Sequence, residues 1–442
     1  MASPGCTRCG NAGYSNGSHD RVDPMVKQRQ TGRHPEHDVV PDVGHFAAGI
    51  VSPVSPGDPV VGGFELQQSG YPVSVMLLAH DEVLSPHTDA VILGEVTAKP
   101  LTLDDWFKYE KGHPLAVEIT GRVEEGSNTS KPDSPAIGSR ITRSLQLDPA
   151  IRSESICLVD GGWLPLIYCL SGTNIFVDRN IVAEIKARFV GGKLKSGGME
   201  ERDFLNMLEQ KACSSTLNPL PYALEGNVQN LPDVDVVLDQ LRIALADLAH
   251  ALPHIQVWPK SLYDREQTQA TLGSYHAYFA QGMDFLQRVG PSLMATTGKA
   301  KRRAAWARII QAAKDTGIPP QHICVAITLS ALTASQKFNP AKNVLKPAAV
   351  YGEAQAYNAM WDLFLLFLLR QFQSQHPEYR PALLTRDKNL AFLWMGMNIQ
   401  RSVTKAGEKQ QVVFDERLMH CDPGEVEFLQ ALLGTSNIGY AS

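Results

Sequence analysis

The chain has 442 residues, 43% of them hydrophobic and 20% charged, with a formal net charge of −5. That balance supports a sizeable core and excludes global disorder. It also excludes a molecule coated with positive charge for nucleic acid, while leaving room for a local basic groove, because an acidic site subtracts several charges by itself. No apolar run reaches the ~18 residues of a transmembrane helix, and the N-terminus lacks the apolar core of a secretory signal. The seven cysteines are mostly isolated in apolar segments and suggest no disulfide framework. A cytoplasmic protein of two or three folding units, at roughly 100–200 residues per domain, is the expectation.

Residues 1–43 are rich in Gly, Ser, Pro, His and Asn and poor in aliphatics, which predicts a flexible arm. Within it, Cys6 and Cys9 form a lone CxxC near His19, His34 and His37. Two free cysteines are favoured over a zinc site, which would need two further ligands at suitable geometry. Residues 44–125 contain Val/Ile-rich stretches at 72–78, 90–97 and 115–123, separated by turn residues such as Ser55-Pro56-Gly57-Asp58. These predict a small β-rich module, compatible with a substrate-binding barrel, a dimerisation unit or a structural cap. Residues 126–149 begin with Gly, Ser, Asn and Pro and are expected to form a linker.

From 150 onward apolar runs alternate with helical periodicity. Apolar runs lie at 156–159 and 164–170, and strands are predicted at 174–177, 383–385 and 412–414. Helices are predicted at 181–189, 234–252, 275–289, 301–316, 351–372 and 390–397. The stretch 322–335 suits a helix or a buried strand equally, because periodicity does not separate the two. Strands alternating with helices imply an α/β layer built on a parallel sheet.

Three local patterns carry chemistry. Ile175-Phe176-Val177-Asp178-Arg179-Asn180 delivers a carboxylate at the end of an apolar strand, where ligand sites of parallel sheets lie. Capping of the following helix explains Asp178 equally well. Leu383-Leu384-Thr385-Arg386-Asp387-Lys388-Asn389-Leu390-Ala391 repeats the design, so Asp178 and Asp387 face one another if their strands are neighbours. In Tyr357-Asn358-Ala359-Met360-Trp361-Asp362-Leu363 an Asp interrupts an apolar helix. A carboxylate buried there costs several kcal/mol unless a cation or a basic side chain meets it. Asn358, one turn earlier, shares its face.

Together these residues resemble the PIN-like nuclease domain over about residues 150–420. The resemblance implies a PIN-like parallel sheet flanked by helices at 150–442, with 230–345 as a helical insertion. It also implies that Asp178, Asp362 and Asp387 are catalytic and hold Mg²⁺ or Mn²⁺. The family's Glu is matched by Glu225, in Pro221-Tyr222-Ala223-Leu224-Glu225-Gly226-Asn227; Glu353 is the competitor, and Asp415 is a candidate outer ligand.

The expected activity is a metal-dependent endonuclease acting on single-stranded RNA in preference to DNA, in the manner of a toxin or defence effector. The alternative is a non-catalytic PIN-like binding or regulatory module, with residues 44–125 meeting a regulatory partner or a second copy. An aspartyl phosphatase is disfavoured, because position 180 is Asn where a second Asp is wanted. No phosphate-binding GxxxxGK[ST] loop and no Ser or Cys triad is evident. Candidate phosphate contacts are Arg179, Lys186, Arg188, Lys193, Lys195, Arg386 and Lys388. A further basic run, Lys299, Lys301, Arg302, Arg303 and Arg308, surrounds Trp306. Base stacking on Trp306 is weighed there against a solvated helix face with the Trp partly buried, and the latter is favoured.

Overall fold

In a computed structural model the chain divides into two compact units, Met1–Gly44 and His45–Ser442. The structure describes residues 75–78, 90–124, 135–147, 154–169, 172–195, 203–209, 215–226, 230–259, 264–295, 297–319, 322–404, 407–433 and 438–440, all in the second unit. The arm at 1–43, with Cys6 and Cys9, lies outside them.

Strands β1 (Val75–Leu78), β2 (Ala90–Ala98), β3 (Leu115–Val123) and β4 (Arg140–Leu147) form an antiparallel sheet in that order. Its core is supplied by β3, where apolar residues alternate strictly with exposed ones. β4 occupies part of the expected linker. It is an edge strand with most of its side chains exposed, and its apolar face, Ile141, Leu145 and Leu147, is interrupted by Arg143. Between β2 and β3 lies α1 (Leu103–Glu110), also unpredicted. Its start is fixed by a capping box, in which Thr102 and Asp105 each satisfy a backbone N–H of the other.

The chain continues through β5 (Ile156–Val159), β6 (Gly162–Leu164), β7 (Asn174–Val177), α2 (Arg179–Arg188) and the short hairpin β8 (Phe189–Val190) and β9 (Lys193–Leu194). Next come β10 (Thr216–Asn218), α3 (Leu220–Glu225), α4 (Val234–Ala251) and β11 (Gln256–Val257). Four helices follow: α5 (Arg265–Val289), α6 (Lys299–Asp315), α7 (Ile323–Thr333) and α8 (Pro340–Leu345). The long α9 (Glu353–Gln375) leads to β12 (Ala382–Thr385) and α10 (Lys388–Gly396). β13 (Met397–Thr404), β14 (Gly407–Phe414), α11 (Pro423–Leu433) and β15 (Ile438–Tyr440) complete the described chain.

The central sheet has the order β11-β10-β7-β12-β5-β6. The first four strands pair in parallel, whereas β12–β5 and β5–β6 are antiparallel. The architecture is therefore mixed α/β, and the expectation of a purely parallel sheet is corrected at one edge. For the outermost pair the cause is local: β5 and β6 are joined by the two residues Asp160-Gly161, and a connection that short joins only antiparallel strands. The expected helical insertion is helical except for β11, which adds an edge to the same sheet. The ambiguous stretch at 322–335 is helix α7.

The middle strands are buried almost throughout, as strands covered on both faces must be. Phe176 of β7 meets Phe372 of α9 edge to face, with ring centroids 4.8 Å apart. The N-terminal sheet joins this core through Trp163 of β6. Its backbone bridges Leu101, its indole N–H donates to the Thr102 carbonyl at 3.1 Å, and its ring meets Trp106 at 4.9 Å. No described helix is long and apolar enough to cross a membrane.

Trp163 is fully buried. Trp163→Ala is expected to cost about 3–5 kcal/mol. Urea unfolding followed by far-UV circular dichroism checks this, and a loss below about 1 kcal/mol would contradict the joining role.

Candidate functional site

The register of the sheet creates the site. β7 and β12 run parallel as neighbours, with Leu384 opposite Val177, so Thr385 and Asp178 emerge side by side at the strands' carboxyl ends. Asp178 caps α2, accepting from the Ile181 backbone N–H at 2.8 Å. Asp387 caps α10, accepting from Asn389 and Leu390 at 2.8 and 3.0 Å. Both residues are thus helix caps and members of a cluster. In each, one carboxylate oxygen takes the cap and the other is left over.

Thr385, fully buried, ties the two together. Its hydroxyl oxygen accepts from the Asp387 backbone N–H at 3.1 Å, and its own proton is donated to the Asp178 carboxylate. A Thr closing an apolar strand gives no sign of this in the sequence, although its place just before Arg386-Asp387 marks it as a turn residue.

The other two carboxylates come from outside the sheet. Glu225 ends α3, where the chain turns at Gly226 with φ 67°. The Tyr357 hydroxyl of α9 donates to the Glu225 backbone carbonyl at 2.5 Å and so fixes the end of α3 against α9. One turn further along α9, the buried Trp361 indole sits close enough to lower the Glu225 pKa, although its N–H makes no full hydrogen bond. Arg179 lies 3.8 Å from the Glu225 carboxylate and stacks over the Tyr222 ring at 4.8 Å. Asp362, beside Trp361, is half-buried and makes no hydrogen bond or ion pair among the described residues.

Electrostatics show that the four carboxylates share one region. Burial pushes the Asp178 carboxyl up to about 6, against the pull of the Ile181 and Asn180 N–H groups, and Asp387 adds to the rise. Burial also raises Glu225 to about 7, opposed by Arg179 and reinforced by Asp178. Asp362 rises to about 7 through burial and the neighbouring charges of Asp387, Glu225 and Asp178, with Lys346 the one opposing cation. Glu353 is exposed at the start of α9 and is not among the charges that move the cluster, so Glu225 is the Glu of this site. Asp415 is held bidentate by Arg417 and stands apart. Asn358 is exposed on α9, one turn before Asp362.

The donor chemistry is all carboxylate oxygen, which suits Mg²⁺ or Mn²⁺. Yet among the described residues no three Asp, Glu, His or Cys side chains converge tightly enough to hold a metal ion as they stand. The caps fix Asp178 and Asp387. Glu225 and Asp362 carry no such backbone bonds.

Most of the basic residues expected to meet phosphate are committed elsewhere. Arg386 pairs with Glu154 and Glu184, Lys388 with Glu110, Lys186 with Asp247, and Arg188 with Glu184 and Asp203. Trp306 is fully buried and donates to the Thr333 hydroxyl at 3.3 Å, so base stacking there is ruled out. No protein-family model matches the chain, and neither a curated protein nor a solved structure is found to be similar to it.

Two outcomes are expected. Thr385→Val leaves the Asp387 N–H unpaired and removes a bond to Asp178, at a cost of about 1–3 kcal/mol in thermal unfolding, with Thr385→Ser restoring most of it. Asp362 has a folded pKa above its unfolded value. Its favourable contribution is therefore complete below about pH 4 and lost as pH rises through about 7. In metal-free buffer at pH 8, Asp362→Asn should raise the melting temperature by roughly 2–4 °C, the scale of about 1 kcal/mol in a large domain. No gain at pH 8, or an equal gain at pH 4, would contradict the burial of this charge.

Proposed function

We propose that the chain is a metal-dependent endonuclease with a PIN-like arrangement, hydrolysing phosphodiesters in RNA in preference to DNA. The observation that carries the proposal is Asp362, a half-buried carboxylate with no hydrogen bond or ion pair among the described residues, set near Asp178 and Asp387 at the ends of parallel strands and Glu225 at the end of α3. Like charges gathered this way favour a cation. The preference for RNA rests on the sequence resemblance alone.

The residues divide by whether backbone N–H groups hold their carboxylates. Asp178 and Asp387, locked by backbone N–H groups and by Thr385, supply fixed oxygens. Glu225 and Asp362, titrating near 7, each keep a proton on a carboxyl oxygen for part of the time at neutral pH and lose it when positive charge approaches. Arg179 and Lys346 stand at the rim as cations that offset part of the negative field. A divalent ion, if held by these four carboxylates, would supply an activated water and stabilise the leaving oxygen. Its binding must displace protons, so affinity rises with pH through about 7.

A second reading, a binding or regulatory module without catalysis, is favoured by one observation: the four carboxylates do not close on a common point.

Labelled single-stranded RNA and DNA are incubated with Mn²⁺, Mg²⁺ or EDTA. Cleavage is expected with metal and not with EDTA, and Asp178→Asn or Asp362→Asn should reduce it by about a hundredfold or more, roughly 2.7 kcal/mol of barrier. Neither cleavage nor metal binding by calorimetry would establish the second reading.

A further inference from the structure

Away from the acidic cluster, a cavity of about 750 Å³ opens between the N-terminus of α6, the loop 334–339, the N-terminal end of α8, and Asn389 and Phe392 of α10. Its volume is in the range of small-molecule sites. Lys299, Arg302, Lys337 and Lys342 line it, and no Asp or Glu does. In a chain of net charge −5, a wall of four cations without a carboxylate is a local reversal of sign.

The cations differ in how far they are engaged. Lys299 pairs with Asp422 at 2.8 Å and Arg302 with Glu425 at 3.1 Å, both carboxylates lying outside the lining. Lys342 donates to the Met294 carbonyl, an uncharged partner, at 2.8 Å. Lys337 is exposed and makes no ion pair among the described residues. Lys337 and Lys342 are therefore unneutralised.

The start of α6 points the same way. Its first turn contains Lys299 and Lys301, followed at once by Arg302 and Arg303, and no acidic residue. Basic residues at the positive end of a helix are unfavourable there, and an anion relieves them. The N-cap is Gly298, which offers no side-chain acceptor; the Lys301 N–H turns back to the Gly298 carbonyl at 2.9 Å, and no side chain caps the N–H groups before it.

Flat apolar surface accompanies the charge. Phe338 and Phe392, both partly buried, line the cavity with ring centroids 5.2 Å apart. Amide groups complete it. Asn343 donates to Asn389 at 3.0 Å, and the Asn389 amide nitrogen has no partner among the described residues. Cations for phosphate, aromatic faces for a base and amides for polar edges form one set.

We propose that this cavity binds a nucleoside phosphate, with the phosphate on Lys337, Lys342 and the α6 N-terminus and the base against Phe338. The ligand is either a free nucleotide or one unit of a nucleic-acid strand. The site does not depend on cleavage by the acidic cluster. α8 joins the two regions: Lys342 lines the cavity, while Lys346 just past its C-terminus faces Asp362. Its six residues span roughly 9 Å, about three nucleotides of a stacked strand at ~3.4 Å each.

The test uses the full chain with Asp178→Asn in the background, so that cleavage cannot obscure binding. Adenosine diphosphate, inorganic phosphate and a labelled short oligoadenylate are titrated by calorimetry or anisotropy. The diphosphate or the oligonucleotide should bind more tightly than inorganic phosphate. Lys337→Ala with Lys342→Ala should weaken that binding about tenfold or more, while Lys314→Ala, which removes one charge at the far end of α6, should change it by less than about twofold. A preference for the oligonucleotide assigns the cavity to a strand, and equal or tighter diphosphate binding assigns it to a free nucleotide. Absence of binding by both, indifference to the double substitution in a variant with unchanged circular dichroism, or equally tight inorganic phosphate would overturn the proposal. None of these results depends on whether the wild-type chain cleaves RNA.

Discussion

The parallel pairing of β7 with β12 is the constraint on which the rest of the site depends. It places two strand ends at one level, and each strand is followed by an Asp that begins a helix. Neither Asp could be moved independently, since one oxygen of each satisfies backbone N–H groups that would otherwise be orphaned. Capping and clustering are therefore one arrangement. The helices need their caps, the sheet brings the caps together, and the resulting negative field is the cost of that register. Thr385 reduces the cost by setting a hydroxyl between the two groups, accepting on one side and donating on the other.

α9 then adds to the strain instead of relieving it. Tyr357, Trp361 and Asp362 follow one another within two turns, and together they hold the end of α3 and add a further charge. A helix serving only the core would place Leu or Ala at 362, because replacing a buried charge by an apolar side chain is commonly neutral or stabilising. The neighbours Trp361 and Leu363 are both buried, so the position has apolar alternatives on either side. The charge at 362 is thus costly for folding, and it is intelligible as a means of holding a cation.

Much of this was legible in the sequence. β7 is bounded as the Asn-Ile-Phe-Val run predicts, and β12 and α4 lie within a residue of expectation, because the two strands are uninterrupted apolar runs followed by Asp caps and α4 carries a long apolar period after its own Asp cap. Asp178, Asp387 and Asp362 stood out for the same reason: each is a charge placed where the surrounding pattern calls for an apolar or a turn residue. The remainder was hidden for definite reasons. α1 is only two turns long and amphipathic, and its Thr102/Asp105 box is a short signal. β4 is an edge strand whose alternation of Ile141, Leu145 and Leu147 with polar residues is broken at Arg143. The neutralisation of Arg386, Lys388 and Arg188 is a tertiary matter, since their partners Glu154, Glu110 and Asp203 come from other elements. The basic run around Trp306 is the helix face favoured over base stacking, with the Trp more deeply buried than expected. The indole is core, and the exposed cations of its first turn face a loop that periodicity does not describe.

Charge is distributed along the molecule in a way that composition conceals. A net value of −5 says little when carboxylates collect at one end of α8 and unpaired lysines at the other. A phosphate would be drawn to the lysine end and repelled from the carboxylate end, the repulsion being screened beyond roughly 8 Å at physiological ionic strength. The two ends are about that far apart, so neither field cancels the other. An anionic strand held in the basic cavity would reach Asp362 only if a cation had first reversed the sign there. Metal binding at the cluster and phosphate binding at the cavity would then be ordered by electrostatics alone, without any moving part.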